Sequence, residues 1–256
     1  RLMYRVTAAC GCNIGKVRRN NEDNFYFDGC FLPQENTGLE IIKGYQGKLG
    51  QPICFGVFDG MGGEACGEEA AYLAAKTMWE VNQAAVSLPE ALLHVCMEAN
   101  QRICQASQKH GMGVMGSTAV LLGLRGKTAY IANIGDSRAL LYREGVLQKI
   151  SKDHTDQFLL DLYGIKNRKP RLTQHLGIDP EEMVIEPYLA EIVIQPGDLF
   201  LLCTDGLTDM IAVDEIKHML QKNIDVVETV AALINRAMDY GGRDNVTVML
   251  CRVEQE

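Results

Sequence analysis

With 256 residues, 47% hydrophobic and 23% charged side chains, the chain has the make-up of a globular protein able to bury a substantial core, which excludes the disordered, fibrous and membrane-embedded classes. A formal net charge of −8 argues against a general nucleic-acid or anionic-membrane surface, since both need clustered Lys and Arg. No apolar run approaches the roughly 18 residues that span a bilayer. Residues 1–15 carry polar breaks too close together for a signal-peptide core, and nine dispersed cysteines lack zinc-type spacing, so they read as reduced core thiols of a cytoplasmic protein. Nothing resembles an interdomain linker, and one domain over residues 1–256 is expected.

In chain order, strands are predicted over residues 4–9, 24–28 and 53–59, rich in aromatic and β-branched side chains. The intervening stretch 29–52 is long for a connection and is expected to carry its own hairpin around 39–42. Helices follow over 67–82 and 89–109, the second opened by a capping box of Ser87 and Glu90 with Pro89 in the first turn. A strand series at 117–124, 128–133, 137–143 and 146–150 has short connections, which predict antiparallel neighbours. A polar, partly helical stretch over 152–179 precedes strands at 184–194 and 198–203. Helices at 213–221 and 226–240, the latter capped by Asp225 and Glu228, and a strand at 246–253 close the chain. Strand runs and helix pairs come in blocks, which points to an α+β protein of antiparallel sheets flanked by helices rather than a doubly wound parallel sheet.

The most distinctive segment is Asp59-Gly60-Met61-Gly62-Gly63, where an apolar strand ends and a helix begins. Gly60, Gly62 and Ala65 also spell a dinucleotide fingerprint, but such a unit needs a second parallel strand ending in an acid about 20 residues on, and Glu80 lies within a helix. Gly111, Gly113 and Gly116 repeat the spelling after a helix and before a strand, the reverse order. Further acids stand in turn-like contexts: Glu22 and Asp23 after Arg18, Asp136 before Ser137, Asp205 after Thr204, and Asp244 before Asn245. Singly, each reads as a turn, a cap or a solvated charge.

The order of these pieces is far more specific than any one of them. The chain resembles the PP2C, or PPM, family of metal-dependent serine/threonine protein phosphatases, especially its compact bacterial members, from about residue 6 to 253. The carriers are R-x-x-N-E-D at 18–23, D-G-M-G-G at 59–63, G-S-T-A at 116–119, G-D-S-R at 135–138, T-D-G-L at 204–207 and D-N-V-T at 244–247. The resemblance implies a four-layer α-β-β-α sandwich, two central antiparallel sheets flanked by helix pairs, with a metal site at one end of the sheets. Asp59 would bridge two ions, Asp205 and Asp244 would complete the first ion's site, and Glu22 with the Gly60 carbonyl would hold the second. Asp23 would act through water, and Asp136 with Asp205 would hold a possible third ion.

Six carboxylates in one cleft repel: two like charges about 4 Å apart cost about 4 kcal/mol at an effective dielectric of about 20. Cations must therefore share the cleft, and an all-oxygen donor set without His or Cys suits Mn²⁺ or Mg²⁺. The expected reaction is direct attack of a metal-bridging water or hydroxide on a phosphoserine or phosphothreonine monoester, without a phospho-enzyme, with Arg18 as a bidentate fork on the phosphate. Asp59, Asp205, Asp244 and Arg18 are the catalytic candidates. Met61 stands where many eukaryotic members have histidine and cannot donate a proton, so water is expected to protonate the leaving oxygen. Glu64 replaces a histidine frequent in bacterial members, His154 reads as a turn residue, and the flap after Thr155 looks short. The implied partners are phosphoproteins made by a serine/threonine kinase, acted on by a monomer. Two rivals stay open: a catalytically silent binding module of the same fold, and a hydrolase of small phosphate esters.

Overall fold

The computed structural model describes residues 3–62, 66–81, 86–111, 115–222 and 225–256. The chain opens with β1 (Tyr4–Asn13), β2 (Asp23–Tyr26), β3 (Lys43–Lys48) and β4 (Ile53–Met61), then helices α1 (Cys66–Glu80) and α2 (Leu88–His110). Five strands follow: β5 (Gly116–Ser117), β6 (Ala119–Arg125), β7 (Thr128–Ile134), β8 (Arg138–Arg143) and β9 (Val146–Lys149). The short helix α3 (Gln157–Leu162) leads through a long segment to β10 (Tyr188–Val193) and β11 (Asp198–Cys203). The chain ends with α4 (Asp205–Thr208), α5 (Val213–Gln221), α6 (Val226–Asp239) and β12 (Val246–Gln255).

The strands form two antiparallel sheets, one ordered β3-β1-β12-β11-β8-β9 and the other β10-β7-β6-β4-β2, with β5 paired to β4. The long strands read as continuous apolar runs because both faces of each sheet are covered, so neither alternate set of side chains meets water. On β4, Phe55 and Val57 point between the sheets, while Cys54 and Phe58 pack beneath α1 and α2 with Ala74 and Met78. On β12, Met249 and Cys251 face between the sheets and Val248 and Leu250 pack under α5 and α6 with Ile216, Leu220 and Leu233. The expected four layers, helix pair, sheet, sheet, helix pair, are therefore present.

Three local expectations are corrected. No hairpin forms at 39–42; residues 43–48 instead become the edge strand β3, paired antiparallel to β1 with Val6 opposite Gly47. β7 and β8, despite their short connection, lie in different sheets, and Gly135-Asp136-Ser137 arches across the sandwich between them. A short link suits a hairpin and such an arch equally well, so the length of the link does not choose between them. The strand expected from 184 begins only at Tyr188.

The cap predictions divide. Asp225 caps α6 through Oδ1, accepting from the backbone N–H groups of Val227 at 2.7 Å and Glu228 at 3.3 Å, whereas Ser87 precedes α2 without a side-chain cap bond. Among the described residues no cysteine is in a disulfide, and no helix is long and apolar enough to cross a membrane.

Candidate active site

The starts of β2 and β12 and the ends of β4 and β11 meet at one edge of the sandwich. Asp23 and Asp59 stand directly opposite each other on the paired strands β2 and β4. Like charges in that register repel unless something lies between them. Asp59 is fixed through its backbone: its N–H donates to Thr118 Oγ1 at 3.0 Å, its carbonyl accepts from Thr118 N–H at 2.9 Å, and Thr118 Oγ1 in turn meets Ser137 Oγ at 2.6 Å. The break between β5 and β6 falls at Thr118, opposite Asp59, where the Asp59 N–H donates to the threonine hydroxyl.

Gly60 donates to the Glu22 carbonyl at 2.9 Å, and a Cβ at Gly60 would lie 1.9 Å from the Gly67 carbonyl oxygen, so only glycine lets α1 come this close to β4. Gly206 is under the same constraint, since a Cβ there would lie 1.9 Å from the carbonyl oxygen of Asn245. Asn245 ties the loop bearing Arg18 and Glu22 to β12: Nδ2 donates to the carbonyls of Ile14 at 2.8 Å and Asn20 at 2.9 Å, and Oδ1 accepts from Glu22 N–H at 2.9 Å.

Asp23 is buried, and its Oδ2 accepts from the hydroxyls of Thr204 at 2.9 Å and Thr247 at 2.7 Å. Thr204 precedes α4 without a side-chain cap bond, because its hydroxyl donates to Asp23 and accepts from Thr247 N–H at 3.0 Å. The other Asp23 oxygen, Oδ1, and Oδ1 of Asp205 are buried with no hydrogen-bond partner. An unsatisfied buried carboxylate oxygen costs free energy, and a cation relieves that cost.

A cavity of about 360 Å³ is lined by Arg18, Glu22, Asp59, Gly60, Asp136, Asp205 and Asp244, together with Met61, Gly62 and Thr118. Every candidate except the buried Asp23 thus reaches one space. Gly63, Glu64 and Ala65 lie outside the described residues, as does Gly113. His154 is buried in the arch region, where Nδ1 accepts from Gly135 N–H at 3.0 Å, in keeping with its reading as a turn residue.

Burial and mutual repulsion push these carboxyls upward. Asp59 is held well above the carboxylate range by burial and then by the charges of Asp205, Asp23, Asp244 and Asp136. Burial takes Asp23 up to about 8 in spite of its two hydroxyl donors. Asp136 rises to about 6 through burial and Asp205, offset by Lys169. Glu22 and Asp244 are also raised, first by burial, with Arg18 opposing.

Two organic cations now sit on this acid. Arg18 straddles Asp244, Nε at 3.3 Å from Oδ1 and Nη2 at 3.4 Å from Oδ2. Lys169 pairs with Oδ2 of Asp205 and, at 2.7 Å, with Oδ2 of Asp209. With the carboxylates engaged in this way, among the described residues no three His, Cys, Asp or Glu side chains form a ready-made ion-binding group. The donor set still fits hard divalent ions: it is all oxygen, and two buried carboxylate oxygens lack partners.

Lys169, Asp209 and the hydroxyls of Thr118, Thr204 and Thr247 are the functional neighbours that sequence reasoning did not assign. All three threonines lie within the motifs at 116–119, 204–207 and 244–247, and a buried carboxylate's need for donors is the signal that picks them out. Lys169 carried no local signal, because its partner Asp205 is 36 residues away.

The family described as Protein phosphatase 2C matches residues 43–251, a span that begins after β2 and so leaves Arg18, Glu22 and Asp23 outside it. Serine/threonine phosphatase stp of Listeria monocytogenes serotype 4b is 30% identical over 251 residues, covering 92% of this chain and 91% of that protein. The structure is similar to the serine/threonine phosphatase PstP/Ppp of Mycobacterium tuberculosis, with a TM-score of 0.80 at 28% identity, covering 98% of this chain and 99% of the other. It is also similar to the catalytic domain of PstP solved in complex with two manganese ions, with a TM-score of 0.78 at 28% identity, covering 98% and 99%. The chain belongs to the protein phosphatase 2C family, the metal-dependent serine/threonine protein phosphatases.

Proposed function

We propose that the chain removes phosphate from phosphoserine and phosphothreonine in proteins at the cavity between Asp59, Asp205 and Asp244, with two Mn²⁺ or Mg²⁺ ions as cofactors. The observation that carries this reading is the crowding of raised carboxyls and orphaned buried oxygens around one open space beside an arginine. A relative crystallised with two manganese ions supports the choice and number of ions.

Asp59, Asp205 and Asp244 would hold one ion, and Asp59, Glu22 and the Gly60 carbonyl the other, with Asp23 behind them and Asp136 at the flank. The chemistry such ions supply is to neutralise phosphate charge and make water acidic enough to act as nucleophile near neutral pH. Arg18 lies on the rim with its side chain about half exposed, free to exchange Asp244 for two phosphate oxygens as a planar fork. Thr204 and Thr247 hold Asp23 by one oxygen, which fixes where the other presents itself. Among the described residues no cysteine lines the cavity, so in this reading the nucleophile is water rather than a thiolate, and Met61 leaves protonation of the leaving oxygen to water.

In this reading the whole span 1–256 is one catalytic domain, a cytoplasmic monomer reversing a serine/threonine kinase. The deciding experiment is phosphate release from a phosphoserine peptide titrated with Mn²⁺. Chelator should abolish it, and Asp59→Asn should lower kcat/KM by about 10³-fold or more. Activity that survives chelation would overturn the reading; activity on phosphorylated metabolites but not on peptides would replace the protein substrate with a small ester.

A further inference from the structure

The segment between β9 and β10 holds one residue over the acidic cleft. Asp156 clasps the turn 168–171 from both sides: Oδ2 accepts from Arg168 Nη2 at 2.7 Å, and Oδ1 accepts from the Arg171 backbone N–H at 2.8 Å. The Asp156 N–H returns a bond to the Arg171 carbonyl at 3.0 Å, and Thr173 N–H donates to the His154 carbonyl at 2.9 Å. Lys169 and Pro170 occupy the apex of that clasped turn. They line both the cavity of about 360 Å³ described above and a smaller one of about 120 Å³ behind it, and Asp136 and Asp205 line both as well. Lys169 is therefore the wedge dividing the cleft.

Asp205 has two oxygens with different occupants. Oδ2 is engaged by the Lys169 ammonium, and Oδ1 is buried without a partner. One oxygen is thus available to an ion shared with Asp59 and Asp244, while the other already faces a cation. A further divalent ion between Asp136 and Asp205 would have to take Oδ2 and evict the lysine, which the Asp156 clasp holds in register.

We propose that Lys169 is a resident cation of the cleft, which fills the Asp136–Asp205–Asp209 flank in place of an additional divalent ion and so sets the complement of tightly held ions at two. The inference rests on the metal-dependent reading above and specifies how this chain departs from a three-ion arrangement. Lys169 acts here as a positioning residue, since it works through Asp205 and not on the phosphate.

Mn²⁺ stoichiometry measured on the whole chain by calorimetry and by electron paramagnetic resonance tests this directly. The unaltered protein should take up two tight equivalents. Lys169→Met removes the charge but keeps most of the apolar stem, and should retain those two while gaining a third whose apparent affinity is about tenfold above any third event in the parent. Lys169→Arg keeps the cation and should restore the two-ion isotherm, which a merely structural role for the side-chain stem does not predict. Three tight equivalents in the parent, or identical isotherms for parent and Lys169→Met, would overturn the proposal while leaving the two-ion enzyme intact. No uptake by either protein would overturn the proposal together with the metal-dependent reading beneath it.

Discussion

On one flank of the acidic cleft, Asp23 and Asp59 stand opposite each other on paired strands, and Asp23 is sealed from water behind two threonine hydroxyls. On the other, Asp244 and Asp209 reach the rim and are met by Arg18 and Lys169, long cations carried by loops. The first flank is held by short, buried, neutral donors whose removal leaves a buried carboxyl oxygen without a partner; on the second, the solvated Arg18–Asp244 pair exchanges at little cost. A cleft that must free Arg18 from Asp244 to admit phosphate needs both kinds of wall, one that does not move and one that readily does.

The widest test of that contrast is pH. The folded, metal-free chain keeps a proton on Asp23 up to about 8, whereas the unfolded chain loses it near the ordinary value of 3.8. Between those values the folded state binds more protons, so the stability conferred is full below the lower value and is lost as pH rises through the upper one. Asp136, raised to about 6, adds the same dependence over a narrower window. In chelator the melting temperature should fall by more than about 5 °C between about pH 5 and pH 8.5, and saturating Mn²⁺, which binds the deprotonated carboxylates, should cancel or reverse the fall. A chelated profile that is flat or rises would break the picture of a protonated rigid flank.

A smaller effect isolates the buried wall. Thr247→Val deletes the 2.7 Å bond to Asp23 while keeping volume and branching, and should lower unfolding free energy by about 1–3 kcal/mol in denaturant titrations. The corresponding change on the mobile wall, Arg18→Lys, should leave that free energy within about 0.5 kcal/mol. It should nonetheless cost about tenfold in kcat/KM on a phosphopeptide, because an ammonium cannot form the fork. Equal stability losses in the two variants would erase the distinction between the flanks.

The same contrast governs how much was legible in the sequence. The central strands and the acids at their ends could be read because double burial writes a continuous apolar run that stops at a turn, as in β4 before Asp59 and β11 before Asp205. β3 was missed because Lys43, Gly44, Gly47 and Lys48 are the residues that keep an edge strand from pairing further, and they carry no apolar signal. The short connection between β7 and β8 predicts antiparallel neighbours, and the arch is not legible there because loop length alone cannot say on which sheet the next strand lands. Lys169 escaped because an ion pair across 36 residues leaves no periodicity behind, and only the fold reveals it.

The passage of Gly135-Asp136-Ser137 from one sheet to the other has a mechanical corollary. Asp23 and Asp59 ride on one sheet, Asp205 and Asp244 adjoin strands of its partner, and Asp136 sits on the strap that joins them. A divalent ion gripped from both sides would act as a rivet through the sandwich, so that sliding of the sheets by even a fraction of an ångström, from a misfit at Phe25 or Phe200 deep between them, would be felt at the cleft as a loosened grip on metal.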